Sequence, residues 1–219
     1  MIMKTLFFSF LGMLTVLLSS CDAHKGFPDT SMQPTHILCT DGRVVSLNDY
    51  RNSDKKAIAV VFYVNHNTDI EGNGYAVYLW DIDTLAFADS LNVSQGTSAD
   101  ITAYDGNTNT FAIYNTSDTG SPLADKVFDI WLYGQSAYIP SVAQMRLLYS
   151  AKSTVNSIIE ECGGTPLPET PDDCWYWTST EVNGQQTAKA WLYSIGSGAI
   201  QETPKAQAHK ARPIITLNE

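Results

Sequence analysis

The chain has few basic residues for its size. Its 219 residues include 13 lysines and arginines against 23 aspartates and glutamates, a formal net charge of −10. Binding to nucleic acid or docking on anionic lipid needs a positively charged surface. We therefore expect no nucleic-acid partner, and the negative charge is typical of a solvated surface.

The chain also lacks an apolar run long enough for an ordinary membrane-spanning helix near its start. The run at residues 5–18, TLFFSFLGMLTVLL, follows the single charge of Lys4. A spanning helix needs about 20 apolar residues, whereas the hydrophobic region of a secretory signal needs about 7 to 15. Residues 1–20 are therefore predicted to be a signal peptide.

The next residues, Leu18-Ser19-Ser20-Cys21, resemble the lipobox of bacterial lipoproteins. In that motif an aliphatic residue and two small residues precede the cysteine that is acylated and becomes the mature N-terminus. The resemblance implies that Cys21 is lipidated and that its acyl chains attach the protein stably to a membrane. The alternative is a plain signal peptide with a cysteine near its cleavage site.

This anchor predicts a place in the cell envelope, with the outer membrane as the expected site, on its surface or its periplasmic face. Asp22 is compatible with inner-membrane retention in some bacteria and with surface display in others, so the leaflet stays open. Residues 21–35 are expected to form a flexible tether, because they contain glycine and proline and no apolar periodicity. Residues 36–219 are expected to form a single domain.

Removal of the signal and lipidation of Cys21 leave three cysteines, an odd number for an oxidising compartment. Cys162 and Cys174 enclose a short Gly/Pro-rich loop, so a disulfide is predicted between them. Cys39 is then a buried thiol. A three-cysteine metal site is disfavoured because there is no CxxC pair and no nearby histidine cluster.

Several segments have clear secondary-structure patterns. Residues 37–47 indicate a hairpin around Asp41-Gly42, and residues 57–64 and 74–80 indicate buried strands. Residues 89–119 are polar and predict an extended insertion with weak strand character. Three closing strands are predicted at residues 175–181, 188–195 and 212–217.

Two helices are expected between these groups of strands. Ser121-Pro122 is a helix start, with the first helix over residues 122–132. Ser141 and Gln144 form a capping box that opens the second helix, whose apolar stripe ends at Gly163-Gly164. Short antiparallel strands flanking two helices predict an α+β fold.

A set of motifs in the second half resembles the collagen-like adhesin C-terminal (Lcl-type) domain family. The order is Tyr138-Ile139-Pro140-Ser141, Gly163-Gly164, the segment 176–181 YWTSTE and Arg212-Pro213-Ile214, within residues 121–217. The resemblance implies a C-type lectin-like fold in which N- and C-terminal strands pair. It also implies that a ligand binds an irregular face within residues 182–211.

The resemblance places five residues on that face: Gln201, Thr203, Gln207, His209 and Lys210. Trp191 and Tyr193 alternate with Leu192, so their rings share one face of a strand. That face is suited to stacking on sugar rings or to covering a helix. All seven residues are the predicted ligand-binding set.

No catalytic constellation is present. The histidines of the mature domain are far apart in sequence, no serine or cysteine lies in a nucleophile-elbow pattern, and the calcium motifs of lectins do not occur. We therefore expect a protein that is not an enzyme and has neither cofactor nor metal. Trp177 is expected in the core, with Glu181 bonded to backbone or to Arg212.

Two functional hypotheses follow. The first is an envelope lipoprotein whose lectin-like domain binds a protein or a glycan in adhesion. The second is a structural or assembly subunit of a surface appendage or envelope complex, with no ligand of its own. An enzymatic role is disfavoured, because the sequence has no catalytic constellation.

Overall fold

The fold is known from a computed structural model that describes residues 31–66, 70, 72–130, 137–170 and 174–218. Residues from Met32 onward form one compact unit. The predicted signal peptide, Cys21 and the first ten residues of the tether lie outside the described residues. No helix of the described part is both long and apolar enough to cross a membrane.

The described residues contain eleven strands and four helices. In chain order they are β1 Ile37–Cys39, β2 Val44–Val45, α1 Leu47–Arg51, β3 Ala57–Val64, β4 Gly74–Tyr78, β5 Ile82–Ala86, α2 Gly106–Tyr114, α3 Pro122–Phe128, β6 Ala137–Tyr138, α4 Val142–Glu161, β7 Trp175–Glu181, β8 Lys189–Ser194, β9 Ile200–Pro204, β10 Ala208–Ala211 and β11 Ile214–Leu217.

The strands form two sheets. One has six strands in the order β2-β1-β3-β4-β11-β6, and the other has five in the order β5-β10-β7-β8-β9. In the first sheet β11 pairs antiparallel with β4, so the chain's last strand joins strands of the N-terminal half. In the second, β10 lies parallel to β7 and the remaining neighbours are antiparallel.

Both faces of the six-stranded sheet are buried. In β3, Val60 and Phe62 belong to the apolar cluster that includes α4, while Ala59 and Val61 belong to the cluster that includes α2 and α3. This alternation follows from the two-residue period of a strand. It explains why residues 57–64 are almost continuously apolar, as is usual for a strand buried on both faces.

The long helix α4 begins as its sequence predicts. The hydroxyl of Ser141 accepts from the backbone N–H of Gln144 at 3.3 Å, and the side chain of Gln144 accepts from the N–H of Ser141 at 3.0 Å. These bonds satisfy backbone donors at the helix start. The helix ends at Glu161, and Gly163 has a φ of 75°, the left-handed conformation that favours glycine.

The predicted α+β, C-type lectin-like fold is wrong. The described residues form a mostly β, sandwich-like arrangement of two sheets with a few helices, not short strands flanking a central helix pair. Sequence reasoning missed β5, β9 and β10, because these strands carry many polar residues and lack clear alternation. The insertion expected to be extended contains α2 instead.

Candidate functional site

A polar cleft lies between the loop at residues 98–101 and the five-stranded sheet. Its volume is about 530 Å³, within the range of small-molecule sites. The residues that line it are Ser98, Ala99, Asp100, Ile101, Val182, Asn183, Trp191 and Glu202. We take it as the candidate functional site, because it combines an aromatic ring with carboxylate and amide groups.

One wall of the cleft comes from the hairpin of β8 and β9. Trp191 and Glu202 are direct partners in the antiparallel register. Glu202 accepts through Oε2 from Lys189 Nζ and from Gln185 Nε2, both at 3.0 Å. The Lys189 ammonium, and after it the Gln185 amide, lower the pKa of this carboxyl, so Glu202 is ionised at neutral pH.

The indole of Trp191 is partly buried against the core, and its N–H has no hydrogen-bond partner within the described structure. The backbone of Trp191 is held by the neighbouring strand, since its carbonyl accepts from the Thr178 hydroxyl at 2.8 Å. Asn183 follows β7 in an exposed turn that closes before β8. These groups present a flat ring beside a polar rim.

The opposite wall is the loop at residues 98–101, which is held by local hydrogen bonds. Asp100 Oδ1 accepts from the Thr102 hydroxyl at 2.7 Å and from the Thr102 N–H at 2.8 Å. These bonds hold the pKa of Asp100 below its usual value. Ala99 has a φ of 57°, a conformation uncommon for a residue with a side chain.

A buried ion pair ties the segment before this loop, residues 93–97, to the sheet. Lys205 Nζ lies 2.6 Å from Glu181 Oε1, and both side chains are fully buried. Glu181 also accepts from the backbone N–H groups of Gln95 and Thr97 at 2.8 and 3.3 Å. Lys205 donates in addition to the Val93 carbonyl at 2.9 Å. The pair therefore fastens the segment that leads into the cleft wall.

The expected partner of Glu181 was only partly right. Glu181 binds backbone N–H groups, as predicted, but its ionic partner is Lys205 and not Arg212. The buried Arg212 lies 2.7 Å from Asp81 and donates to the Tyr78 carbonyl at 3.0 Å. Trp177 is fully buried, as expected.

The seven residues of the predicted ligand-binding set do not come together. Of these seven, Trp191 alone lines the cleft. Tyr193 and Thr203 are each 1% exposed, so neither can touch a ligand in this conformation. Tyr193 instead packs against Tyr149 of α4, with ring centroids 6.3 Å apart, which is the helix-covering alternative.

The other four residues of the set lie elsewhere. Gln201 and Gln207 are exposed, whereas His209 and Lys210 are half-buried. His209 packs edge-on against Trp177 at 5.3 Å, and Lys210 lies 3.6 Å from Asp81. Their assignment to a ligand stays a prediction, and they form no site together with Trp191.

The predicted disulfide between Cys162 and Cys174 is not formed. None of Cys39, Cys162 and Cys174 is disulfide-bonded. The Cys174 sulfur lies 3.0 Å from the Ser194 hydroxyl, on the five-stranded sheet, whereas Cys162 caps the end of α4. The loop between the cysteines thus runs from a helix end to a buried strand.

Sequence reasoning missed Asp100, Asn183 and Glu202. Glu202 was detectable only if residues 200–204 were recognised as a strand opposite β8. Asp100 belongs to a segment that was expected to be an extended insertion. Among the described residues, no group of three or more His, Cys, Asp or Glu side chains is placed to hold a metal ion.

Comparisons with known proteins give a structural likeness alone. No family model matches the chain, and no curated protein matches its sequence. Its fold is similar to the crystal structure of a fimbrial protein from Bacteroides ovatus, with a TM-score of 0.68 and 17% sequence identity. The likeness covers 85% of this chain and 49% of the fimbrial protein, so the chain spans about half of its length.

These comparisons correct the family assignment. The expected membership of the collagen-like adhesin C-terminal (Lcl-type) family is wrong, since no family model matches and the similar structure is fimbrial. Several residues of the motifs that suggested it are buried framework positions. Trp177, Glu181 and Arg212 are each fully buried, so they report on packing and not on a shared ligand face.

Proposed function

We propose that this chain is a subunit of a bacterial cell-surface appendage of the fimbrial kind. The observation that carries the proposal is the fold it shares with a fimbrial protein over most of its described length. That likeness is one of fold alone. The proposed role therefore also rests on the signal peptide and the lipid anchor that the sequence predicts. This role matches the second of the two sequence hypotheses better than the first.

The sequence supplies a route to the cell surface. A signal peptide at residues 1–20 would export the chain, and a lipid on Cys21 would hold it at the outer membrane. The tether would separate the folded unit from the bilayer. In this proposal the membrane contact is made by the lipid, which agrees with a net charge that does not favour anionic lipid.

We also propose that the subunit is not an enzyme. The surroundings of His209 support this, because its ring packs against the ring of Trp177 and not against a nucleophile. Burial also lowers the pKa of His209. Two of the fully buried charged groups, Glu181 and Lys205, are bonded to each other and to backbone. These bonds stabilise the fold.

Mechanical shearing of intact cells tests the appendage role. The bacterium that produces the chain is sheared, filaments are collected by ultracentrifugation, and the chain is detected by immunoblot. We expect it to pellet with the filaments. In the matched Cys21→Ser variant, which cannot be lipidated, we expect loss of the membrane-bound pool. Recovery of the wild-type chain in the membrane fraction alone would contradict the appendage role.

A second role, recognition of a protein or a glycan, is favoured by one observation. The cleft beside Trp191 has the volume of a ligand site and exposes polar groups with unused hydrogen-bonding capacity. A subunit that both builds an appendage and binds a target would combine the two sequence hypotheses.

A further inference from the structure

The polar groups of the cleft have hydrogen-bonding capacity that the protein does not use. Both bonds of Asp100 end on Oδ1, and both bonds of Glu202 end on Oε2. Asp100 Oδ2, Glu202 Oε1 and the exposed Asn183 amide have no partner among the described residues. Two acceptors and one amide, which both donates and accepts, therefore remain available to a ligand.

Trp191 adds a flat apolar surface to these groups. Its indole lines the cleft, whereas its N–H is buried without an acceptor in the described structure, so the ring contributes through its apolar surface. A ligand with an apolar face and hydroxyl groups around its rim would cover the ring while donating to the carboxylates. Such a ligand is a sugar ring, which has C–H bonds on its faces and hydroxyls at its edge.

The charges of the cleft narrow the class of ligand. Asp100 and Glu202 are both ionised at neutral pH, and hydrogen bonds hold the pKa of each carboxyl low. Anionic sugars would be repelled. A cationic peptide would find one of the two carboxylates already paired, because Lys189 lies 3.0 Å from Glu202, and among the described residues only Asp100 of the two is left without a cation.

We propose that the cleft between Trp191, Asp100, Asn183 and Glu202 binds a neutral oligosaccharide. The indole stacks on one sugar ring, the carboxylates accept from its hydroxyls, and Asn183 bonds a neighbouring hydroxyl. This inference rests on the recognition role proposed above and not on the appendage role.

The test is binding of defined neutral oligosaccharides to the full chain in detergent. Maltotriose, cellotriose, xylotriose and triacetylchitotriose are titrated separately by calorimetry, with a sialylated trisaccharide and an oligolysine peptide as charged probes. We expect saturable binding of at least one neutral probe. We expect none of the sialylated trisaccharide.

Two variants assign that binding to the cleft. Trp191→Ala is expected to weaken it about tenfold or more, because it removes the stacking surface. Trp80→Ala is the matched control, since Trp80 is an exposed tryptophan that does not line the cleft. Asn183→Ala is expected to weaken binding severalfold. Because Asn183 is exposed, this variant should fold normally, so it still tests the cleft if Trp191→Ala fails to fold.

Three results would overturn the proposal: no neutral probe binds, oligolysine binds in their place, or neutral binding is unchanged in both Trp191→Ala and Asn183→Ala. Co-pelleting of the chain with sheared filaments is independent of all three. A failed titration therefore leaves the appendage role intact.

Discussion

Lys205 Nζ lies 2.6 Å from Glu181 Oε1, and neither side chain has any exposed surface. The two residues are 24 positions apart and meet where the end of β7 faces the turn after β9. Each is also bonded to the loop at residues 93–97, Lys205 through the Val93 carbonyl and Glu181 through the Gln95 N–H. The pair therefore joins the five-stranded sheet to the segment that leads into the cleft wall.

Breaking this pair is predicted to destabilise the fold strongly. Glu181→Gln leaves the Lys205 charge buried without a counter-ion, and loss of one partner of a buried pair costs on the order of 3–5 kcal/mol. The double variant Glu181→Gln/Lys205→Met removes both charges and should recover part of that loss. Urea denaturation of the purified chains measures the free energy of unfolding.

The matched control is the exposed pair of Lys189 and Glu202. Glu202→Gln should lower the free energy of unfolding far less than Glu181→Gln does, since exposed pairs contribute little. Equal losses for Glu181→Gln and Glu202→Gln would show that the buried pair does not hold the loop.

A second prediction concerns stability in mild acid. His209 is half-buried against Trp177, and burial lowers its pKa in the folded chain. The unfolded chain therefore binds a proton at a higher pH than the folded chain does. As the pH falls below the ordinary histidine pKa of about 6.5, the free energy of unfolding must decrease.

Replacement of His209 by glutamine should remove this part of the acid dependence. The free energy of unfolding of His209→Gln should fall less steeply between neutral and mildly acid pH than that of the wild type. His66→Gln, at an exposed histidine, serves as the control. An unchanged slope in His209→Gln would show that His209 is not the responsible group.

The cysteines give a third prediction. Burial, together with the negative charge of Glu161, raises the pKa of Cys162 to about 11, so its thiol is protonated at neutral pH and reacts slowly. Iodoacetamide should label Cys162 far more slowly than the thiol added by Ser157→Cys, at an exposed position on the same helix. Mass spectrometry without reduction should find no Cys162–Cys174 disulfide.

Two outcomes would contradict this account of the thiols. One is a peptide that joins Cys162 to Cys174 under non-reducing conditions. The other is equal alkylation of Cys162 and the added thiol on α4. Either would mean that the helix end is more open than the structure shows.

The sequence predicted elements whose residues follow a simple period or a local cap. Residues 57–64 and 175–181 are strands at the predicted bounds, and Ser141 opens α4 with the predicted capping box. Each of these signals is contained in neighbouring residues. Local chemistry is therefore sufficient to place them.

The missed elements depend on contacts between distant residues. Helix α2 buries Asn109 and Thr110 as well as Ile113, so its inner face has no apolar pattern. Thr110 is held by hydrogen bonds to the backbone of Ile139, 29 residues away. In the same way Lys205 can be buried because it pairs with Glu181, which is 24 positions away. No local sequence pattern shows this pairing.

The cleft depends on the same long-range pairings. Trp191 was identified from the sequence, but its partners Asp100 and Glu202 lie on a loop and a strand that were not recognised. The family resemblance placed Gln201, Thr203, Gln207, His209 and Lys210 on a binding face. One of these residues, Thr203, is buried instead.

The most direct test of the account is immunogold electron microscopy of the bacterium that produces the chain, with an antibody against the folded unit. The account predicts gold particles along filaments that extend from the cell surface, and loss of this labelling when the gene is deleted. Gold confined to the cell body, with filaments present but unlabelled, would contradict a role as an appendage subunit.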